Sequence, residues 1–290
     1  MSRARDRADS VLHNRTHEDT EGGRESIVTF KGEQSGGEIS TLAQIQASHD
    51  GTADDQKADL IFKTNDGSDN AAPTERLRID SNGSILTATL GTDNVHLGEG
   101  AGASIASGGI DNTVIGKNAG TSITTGDYNT LLGFQAGDAL TTGNSNVAIG
   151  FNALSAEDAN GLNIAIGANA LGNLNAGANA ENVAIGHDAG ASATTGGENT
   201  IVGATAGDAL TIGEKNVAIG HNALGADDVG SRNVAVGWDA LGSQNATGGS
   251  VNNFYNTAVG ANTGFSITTG YYNTFVGALA GDDTDDSIQN

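Results

Sequence analysis

The 290-residue chain has no cysteine, a single proline, a single tryptophan and only 4% aromatic residues. Without cysteine, a disulfide framework, thiol catalysis and cysteine-ligated zinc are excluded. No apolar run approaches the roughly 18 residues of a membrane-spanning helix, so membrane insertion is not expected. Residues 1–25 hold no apolar stretch of the kind a Sec signal peptide requires, so export by that route is not expected either. Positive charge is also scarce: 13 basic residues face 35 acidic ones, a formal net charge of −22. Ten of the thirteen precede Asn94, leaving Lys117, Lys215 and Arg232 for everything after it. Such a balance repels nucleic acid and anionic lipid, and it keeps a long surface soluble.

Glycine is plentiful, at 44 residues, and it falls in a pattern. Aligned on a leading Asn followed four residues later by Gly, eleven units begin at Asn94, Asn112, Asn129, Asn146, Asn163, Asn182, Asn199, Asn216, Asn233, Asn256 and Asn273. Seven of the ten spacings are 17 residues, and the others are 18, 19 and 23. A period near twenty with one short strand per unit predicts a parallel β-roll, or β-solenoid. Helical repeats need longer units and far less glycine. Stacked about 4.8 Å apart, eleven coils make a rod on the order of 50 Å long. A second rhythm overlies the first. Pairs of units with Ala-Gly at positions eight and nine (Ala136-Gly137) alternate with pairs carrying Ala-Leu (Ala153-Leu154, Ala170-Leu171), as if the array had grown by copying blocks of four.

Side chains alternate across a strand, so in Asn146-Val-Ala-Ile-Gly150 Val147 and Ile149 share one face and Ala148 takes the other. The fourth position is Ile, Leu or Val in every unit and is assigned to the coil's own interior. The third, mostly Ala, is assigned to a face that another backbone approaches closely. Apolar residues on both faces imply burial on both sides, and the simplest partner is another copy of the chain. His96 and Phe275, bulky third-position residues of the first and last units, read as caps, although Leu131 and Ile201 break that rule. The leading Asn and the following Gly read as corner residues that tolerate left-handed backbone, with the Asn side chains stacked in amide ladders.

Little in the chain points to chemistry. Glu157-Asp158 and Asp227-Asp228 are adjacent acids in equivalent turns, but neighbours in a turn diverge and the two pairs lie four coils apart, on the order of 19 Å. His187 and His221 each follow a strand-ending glycine and read as edge residues. The run from Asp282 to Asp286 reads as a solvated acidic tail. No catalytic residue, metal ligand or cofactor is assigned. Recognition is assigned to the longest insertion, residues 242–255, and the aromatics around it: Trp238, Asn253, Phe254, Tyr255, Tyr271 and Tyr272. Aromatic and amide side chains on a loop suit sugar or protein surfaces.

The phrases NVAIGFNAL, NIAIGANAL and NVAIGHNAL resemble the head repeats of trimeric autotransporter adhesins of the YadA type. They are still more similar to the repeats of bacteriophage tail-fibre proteins, and Thr74-Glu-Arg-Leu-Arg-Ile-Asp-Ser-Asn-Gly83 looks like an element that precedes such shafts. Together the resemblances span roughly residues 55–290. They imply three interlocked chains in a left-handed roll, hence a homotrimer. They also imply a virion fibre on tail, head or collar, made in the host cytoplasm without a signal peptide, that meets a host-surface glycan or protein. The unit here is a few residues longer than is usual for the adhesins, so the coil cross-section is expected to differ.

The expected organisation is therefore an all-β homotrimer in three parts. Residues 1–25 form an arm whose Arg3, Arg5 and Arg7 would dock onto another virion structural protein. Residues 26–90 form a small β domain with strands near 26–31, 39–47, 58–63 and 76–80, marked by alternating apolar residues between Gly, Asp and Asn turns. Residues 91–290 form the shaft of about eleven 17-residue coils. Other readings are a fragment of a cellular trimeric adhesin, a polysaccharide-cleaving tailspike and an ice-binding protein. The last needs an unbroken threonine array, which coils such as Ala-Glu-Asp-Ala interrupt.

Overall fold

The structure is a computed structural model. It describes residues 25–33, 39–49, 58–65, 72–81, 85–87, 93–105, 108–245 and 252–282. All regular structure among them is β, in two compact units, Met1–Ala88 and Thr89–Asn290. Arg3, Arg5 and Arg7 lie outside the described residues.

The first unit is an antiparallel meander of β1 (Ser26–Glu33), β2 (Ile39–His49), β3 (Ala58–Thr64), β4 (Thr74–Ile79) and β5 (Ile85–Thr87). Four of these strands follow the alternation seen in the sequence, and the short β5 was not expected. Register places Val28, Ile45, Phe62 and Leu77 in one row, an apolar face that the sheet itself leaves largely open. On the other face Gln46, Asp59 and Ile61 are buried. There Arg78 pairs with Asp59 and, at 2.8 Å, with Glu75. The hydrogen bond from Arg78 holds the Glu75 carboxyl below its ordinary range.

The second unit is a parallel solenoid. One sheet of eleven strands runs up it, from Val95–Leu97 to Thr274–Val276, each strand pairing position for position with its neighbours. Two features close each coil. Gly167, at the strand end, adopts φ 138°, and a Cβ there would collide with the carbonyl of Gly186 in the next coil. A left-handed residue also precedes each leading Asn, from Asp93 (φ 59°) to Tyr272 (φ 60°). The leading Asn itself is absent from the left-handed set, which corrects the corner assignment. Its role is hydrogen bonding from a buried position. From Asn112 to Asn273, each leading Asn donates its backbone N–H to the Oδ1 of the Asn one coil earlier, at 2.8–3.2 Å in all ten steps. In most coils the Nδ2 donates to a carbonyl fourteen residues later, as from Asn129 to Gly143 at 2.8 Å. The amide ladder is present, and it ties side chain to backbone.

The two strand faces are the reverse of the sequence assignment. Third-position residues are buried within the chain: Val114, Leu131, Ala148, Ala165, Ala184, Ala218, Ala235 and Ala258 are all 0% exposed. Second- and fourth-position aliphatics face outward, with Leu132 44%, Ile185 38% and Ile219 38% exposed. The reason is space. Position eight, alanine in nearly every coil and buried, packs into the same narrow interior, so the inward strand residue must be small unless room is made for it.

Position nine makes the room. Where the third position is bulky, as at Leu131, the ninth is Gly137, and a Cβ on it would press on Leu131 and Leu140. Where the third is Ala148 or Ala165, the ninth is Leu154 or Leu171, fully buried at φ 53° and 49°. A leucine in left-handed backbone costs about 1–2 kcal/mol. Full burial of its side chain returns about 1.5–3 kcal/mol, so filling the core wins. Ile201 with Gly207 and Phe275 with Gly281 follow the same exchange, so Phe275 is an inward filler rather than a protruding cap.

This exchange predicts strong coupling between the two positions. Ala148→Leu alone should destabilise by about 1–3 kcal/mol through overpacking. Leu154→Gly alone should cost about 2–4 kcal/mol, a cavity less the relieved backbone strain. The double variant should recover at least about 1 kcal/mol of their sum. Thermal and denaturant melts of the four proteins check this, and additive losses would refute it.

Candidate functional site

Each coil offers its exterior three surfaces: the outward strand face, the corner before the strand and the corner after it. The strand face carries no charge in any of the eleven coils. Position two is Val, Ile or Thr throughout, and position four is Ile, Leu or Val. This uncharged stripe, aliphatic at position four in every coil and threonine at position two in five of them, was assigned to the interior from sequence.

The corner after the strand, position six, holds Trp238, which is 53% exposed. The same column stacks Phe134 on Phe151 with centroids 5.5 Å apart, a pair that sequence reasoning did not single out. Trp238 therefore stands across the strand face from the tyrosines and does not join them.

The corner before the strand gathers most of the other predicted residues. Tyr255 and Tyr272 stack with centroids 5.2 Å apart and planes 10° from parallel, and Tyr271 meets Tyr272 edge-on at 5.4 Å. The insertion re-enters the stack when Asn252–Asn253 pairs in parallel with Gly230–Ser231. That return presents Asn253 Oδ1 to Arg232 Nε at 2.8 Å. The Arg232 guanidinium in turn lies 5.6 Å from the Tyr255 ring centroid. Phe254 points the other way, is 6% exposed and packs with Val229 and Ile212, so it anchors the insertion and is removed from the recognition set. Residues 246–251 of the insertion lie outside the described residues. Arg232 was missed, although two signals marked it: it is one of three basic residues after Asn94, and it shares a repeat position with Tyr255 and Tyr272.

The adjacent acids form no catalytic pair. Glu157 and Asp227 turn inward, each 0% exposed, at position twelve, which aliphatics such as Leu140, Leu174 and Leu210 fill in other coils. Asp158 is exposed. Asn160 Nδ2 donates to Glu157 Oε1 at 2.7 Å, and Gln244 Nε2 donates to Asp227 Oδ2 at 2.6 Å. Each carboxylate thus substitutes for a core aliphatic and is held by amides. Burial pushes the Glu157 carboxyl above its ordinary range, against the opposing hydrogen bonds. It does the same to the half-buried Asp138 and Asp208. His187 pairs with Asp188 at 3.1 Å, His221 is exposed, and burial lowers His96. Among the described residues no three potential metal-binding side chains cluster. The first unit has an open hollow of roughly 380 Å³ lined by Ile39, Thr41, Gln44, Asn65 and Pro73, with no charged side chain.

No family model, curated protein or solved structure matches the chain.

The buried carboxyl at Glu157 makes stability pH-dependent in a definite direction. Its folded pKa lies above the unfolded one, so its contribution is fully present below about pH 4 and is lost as pH rises through the folded value. Glu157→Gln keeps an oxygen for Asn160 and abolishes the charge. It should raise Tm at pH 7 by a few degrees, a gain that vanishes near pH 3.5. Melting curves across that range test the sign, and a variant less stable at pH 7 than at pH 3.5, relative to the parent, would refute it.

Proposed function

We propose that the chain is the shaft of a homotrimeric phage fibre that is held to the virion through its N-terminal arm and displays a host-attachment surface without catalytic turnover. The observation that carries the reading is the outward aliphatic stripe. Two outward side chains wide, from strand positions two and four, and eleven coils long, it covers on the order of 500 Å² per chain. A patch of that size lies at the upper end of what monomers leave open, and patches of this kind are often functional.

The best-matched occupant is another copy of the chain. A partner must present apolar groups at the same axial step, about 4.8 Å, over some ten rungs, and an identical coil does so. Charge supports the same occupant. Two chains of −22 repel over most of their surface, and the stripe is a continuous neutral strip where they could meet. The open apolar row of Val28, Ile45, Phe62 and Leu77 on the first sheet favours association there too. The number three and the virion setting come from the resemblance to phage fibres and trimeric adhesins. Display without turnover is supported by the two adjacent-acid pairs, in which Glu157 and Asp227 are buried and held by amides.

Mass photometry of the purified protein should give three times the 29.0 kDa chain mass. Ile149→Asp with Ile166→Asp should dissociate it while the β circular dichroism persists. The parent protein should compete with particles for adsorption to host cells, and the dissociated variant should not. A folded monomer in the parent would overturn the assembly, and unaltered adsorption would overturn the attachment role.

A further inference from the structure

The residue before each leading asparagine forms a column up one corner of the solenoid, and its character changes along the stack. Glu181 and Glu198 give way to Lys215, Arg232, Tyr255 and Tyr272 in four successive coils. Two of the three basic residues after Asn94 are therefore neighbours on one edge. Lys215 is neutralised by Glu198 at 3.3 Å. Arg232 has no carboxylate within ion-pair distance among the described residues.

Arg232 is nevertheless held in place. Its Nε is engaged by Asn253 Oδ1 at 2.8 Å, and its guanidinium lies over Tyr255, which stacks on Tyr272 from the next coil. With Nε occupied, the two Nη groups remain as donors in a fixed fork. Tyr255 and Tyr272 are 43% and 50% exposed, and their hydroxyls make no hydrogen bond to the described residues. The result is an outward strip of donors, one cation followed by two phenols, spaced at the coil rise. Most of its ordering is already accomplished in the fold, which lowers the entropy lost on binding.

The surroundings narrow the ligand. A dense polyanion such as a nucleic acid is repelled by a chain of −22. Screening limits the reach of distant carboxylates to about 8 Å at physiological salt, and with Lys215 paired to Glu198, Arg232 is the cation on this edge that a single anionic group can engage. A ligand with one carboxylate among many hydroxyls matches one free guanidinium beside two free phenols. We propose that Arg232, Tyr255 and Tyr272 form a binding ledge for a glycan whose pyranose ring bears a carboxylate. The Nη pair takes the carboxylate bidentately, the tyrosines hydrogen-bond ring hydroxyls, and Asn253 positions the guanidinium. The inference rests on the surface-attachment reading above and names the class of surface.

Titration of the full-length protein with trigalacturonic acid and with its methyl ester separates charge from ring shape. The acid should bind about tenfold or more tightly than the ester, and Arg232→Gln should lose about that factor for the acid alone. Arg232→Lys keeps the charge and the aliphatic stem, guards against a folding defect, and should bind the acid with intermediate strength. Tyr255→Phe should weaken binding to a lesser degree with Tm unchanged. Equal binding of acid and ester, or an Arg232→Gln protein that binds the acid as the parent does, overturns the ledge. If host cells are still bound in that case, attachment stands and only the ledge falls. If the parent binds neither host cells nor the acid, both fall.

Discussion

The solenoid depends on a buried side-chain amide repeated once per coil. A 17-residue turn of chain must reverse direction in a few residues and leave no interior donor or acceptor unmet. The leading asparagine does this in two directions. Its Oδ1 accepts the backbone N–H of the next asparagine along the axis, and its Nδ2 donates to a carbonyl across the same coil. An unmet buried amide costs about 1–3 kcal/mol, so a coil lacking this residue would be destabilised and would also leave its neighbours unsatisfied. The strand-ending glycine is the companion constraint. It lets one coil's backbone lie against the next where any side chain would strike a carbonyl.

The rest of the packing follows from the narrow interior these two residues enforce. A small residue must face inward from the strand unless position nine is glycine, and a leucine can occupy position nine only in strained left-handed backbone. Bulky-third with Gly-ninth and Ala-third with Leu-ninth are thus two ways to fill the interior. In the coils that pair Ala184 with Gly190 and Ala258 with Gly264, the space is approached by Leu171 and Ile201, and by Leu241 and Phe275, of adjacent coils. Because the interior takes the mostly small third residue of each strand, the larger aliphatics at positions two and four are left outside. The outward apolar stripe is thus a consequence of how each coil fills itself. Glu157, Asp227 and Gln244 break the aliphatic column at position twelve, and amide hydrogen bonds to each make that break tolerable.

The repeat, its period and its parallel strands were legible in the sequence because one pattern recurs eleven times. Which strand face points inward was not. Alternation shows that Val147 and Ile149 oppose Ala148, but it is symmetric under exchange of inside and outside. The information that breaks the symmetry was present in the pairing of Leu131 with Gly137 and of Ala148 with Leu154. Read as compensating volumes, those pairs place the third and ninth positions in one interior. The recognition cluster was partly legible. Tyr255, Tyr271, Tyr272 and Asn253 come together, whereas Trp238 lies on the opposite corner and Phe254 is buried. Arg232 was overlooked because its link to Tyr255 runs through the stacking of coils 23 residues apart in sequence, which local patterns do not expose.

The central claim is that the third strand position is interior to each chain and the fourth faces outward, where the proposed assembly would cover it. The absence of native cysteine allows a direct test by single-cysteine labelling with a maleimide, in the assembled protein and in one dissociated by aspartates at Ile219 and Val236. Ala165→Cys should resist the reagent in both and react only after unfolding. Ile166→Cys should be protected in the assembly and react once the folded chains separate. An Ala165→Cys protein that labels readily in the dissociated, folded chain, with Ile166→Cys protected there, would contradict the account.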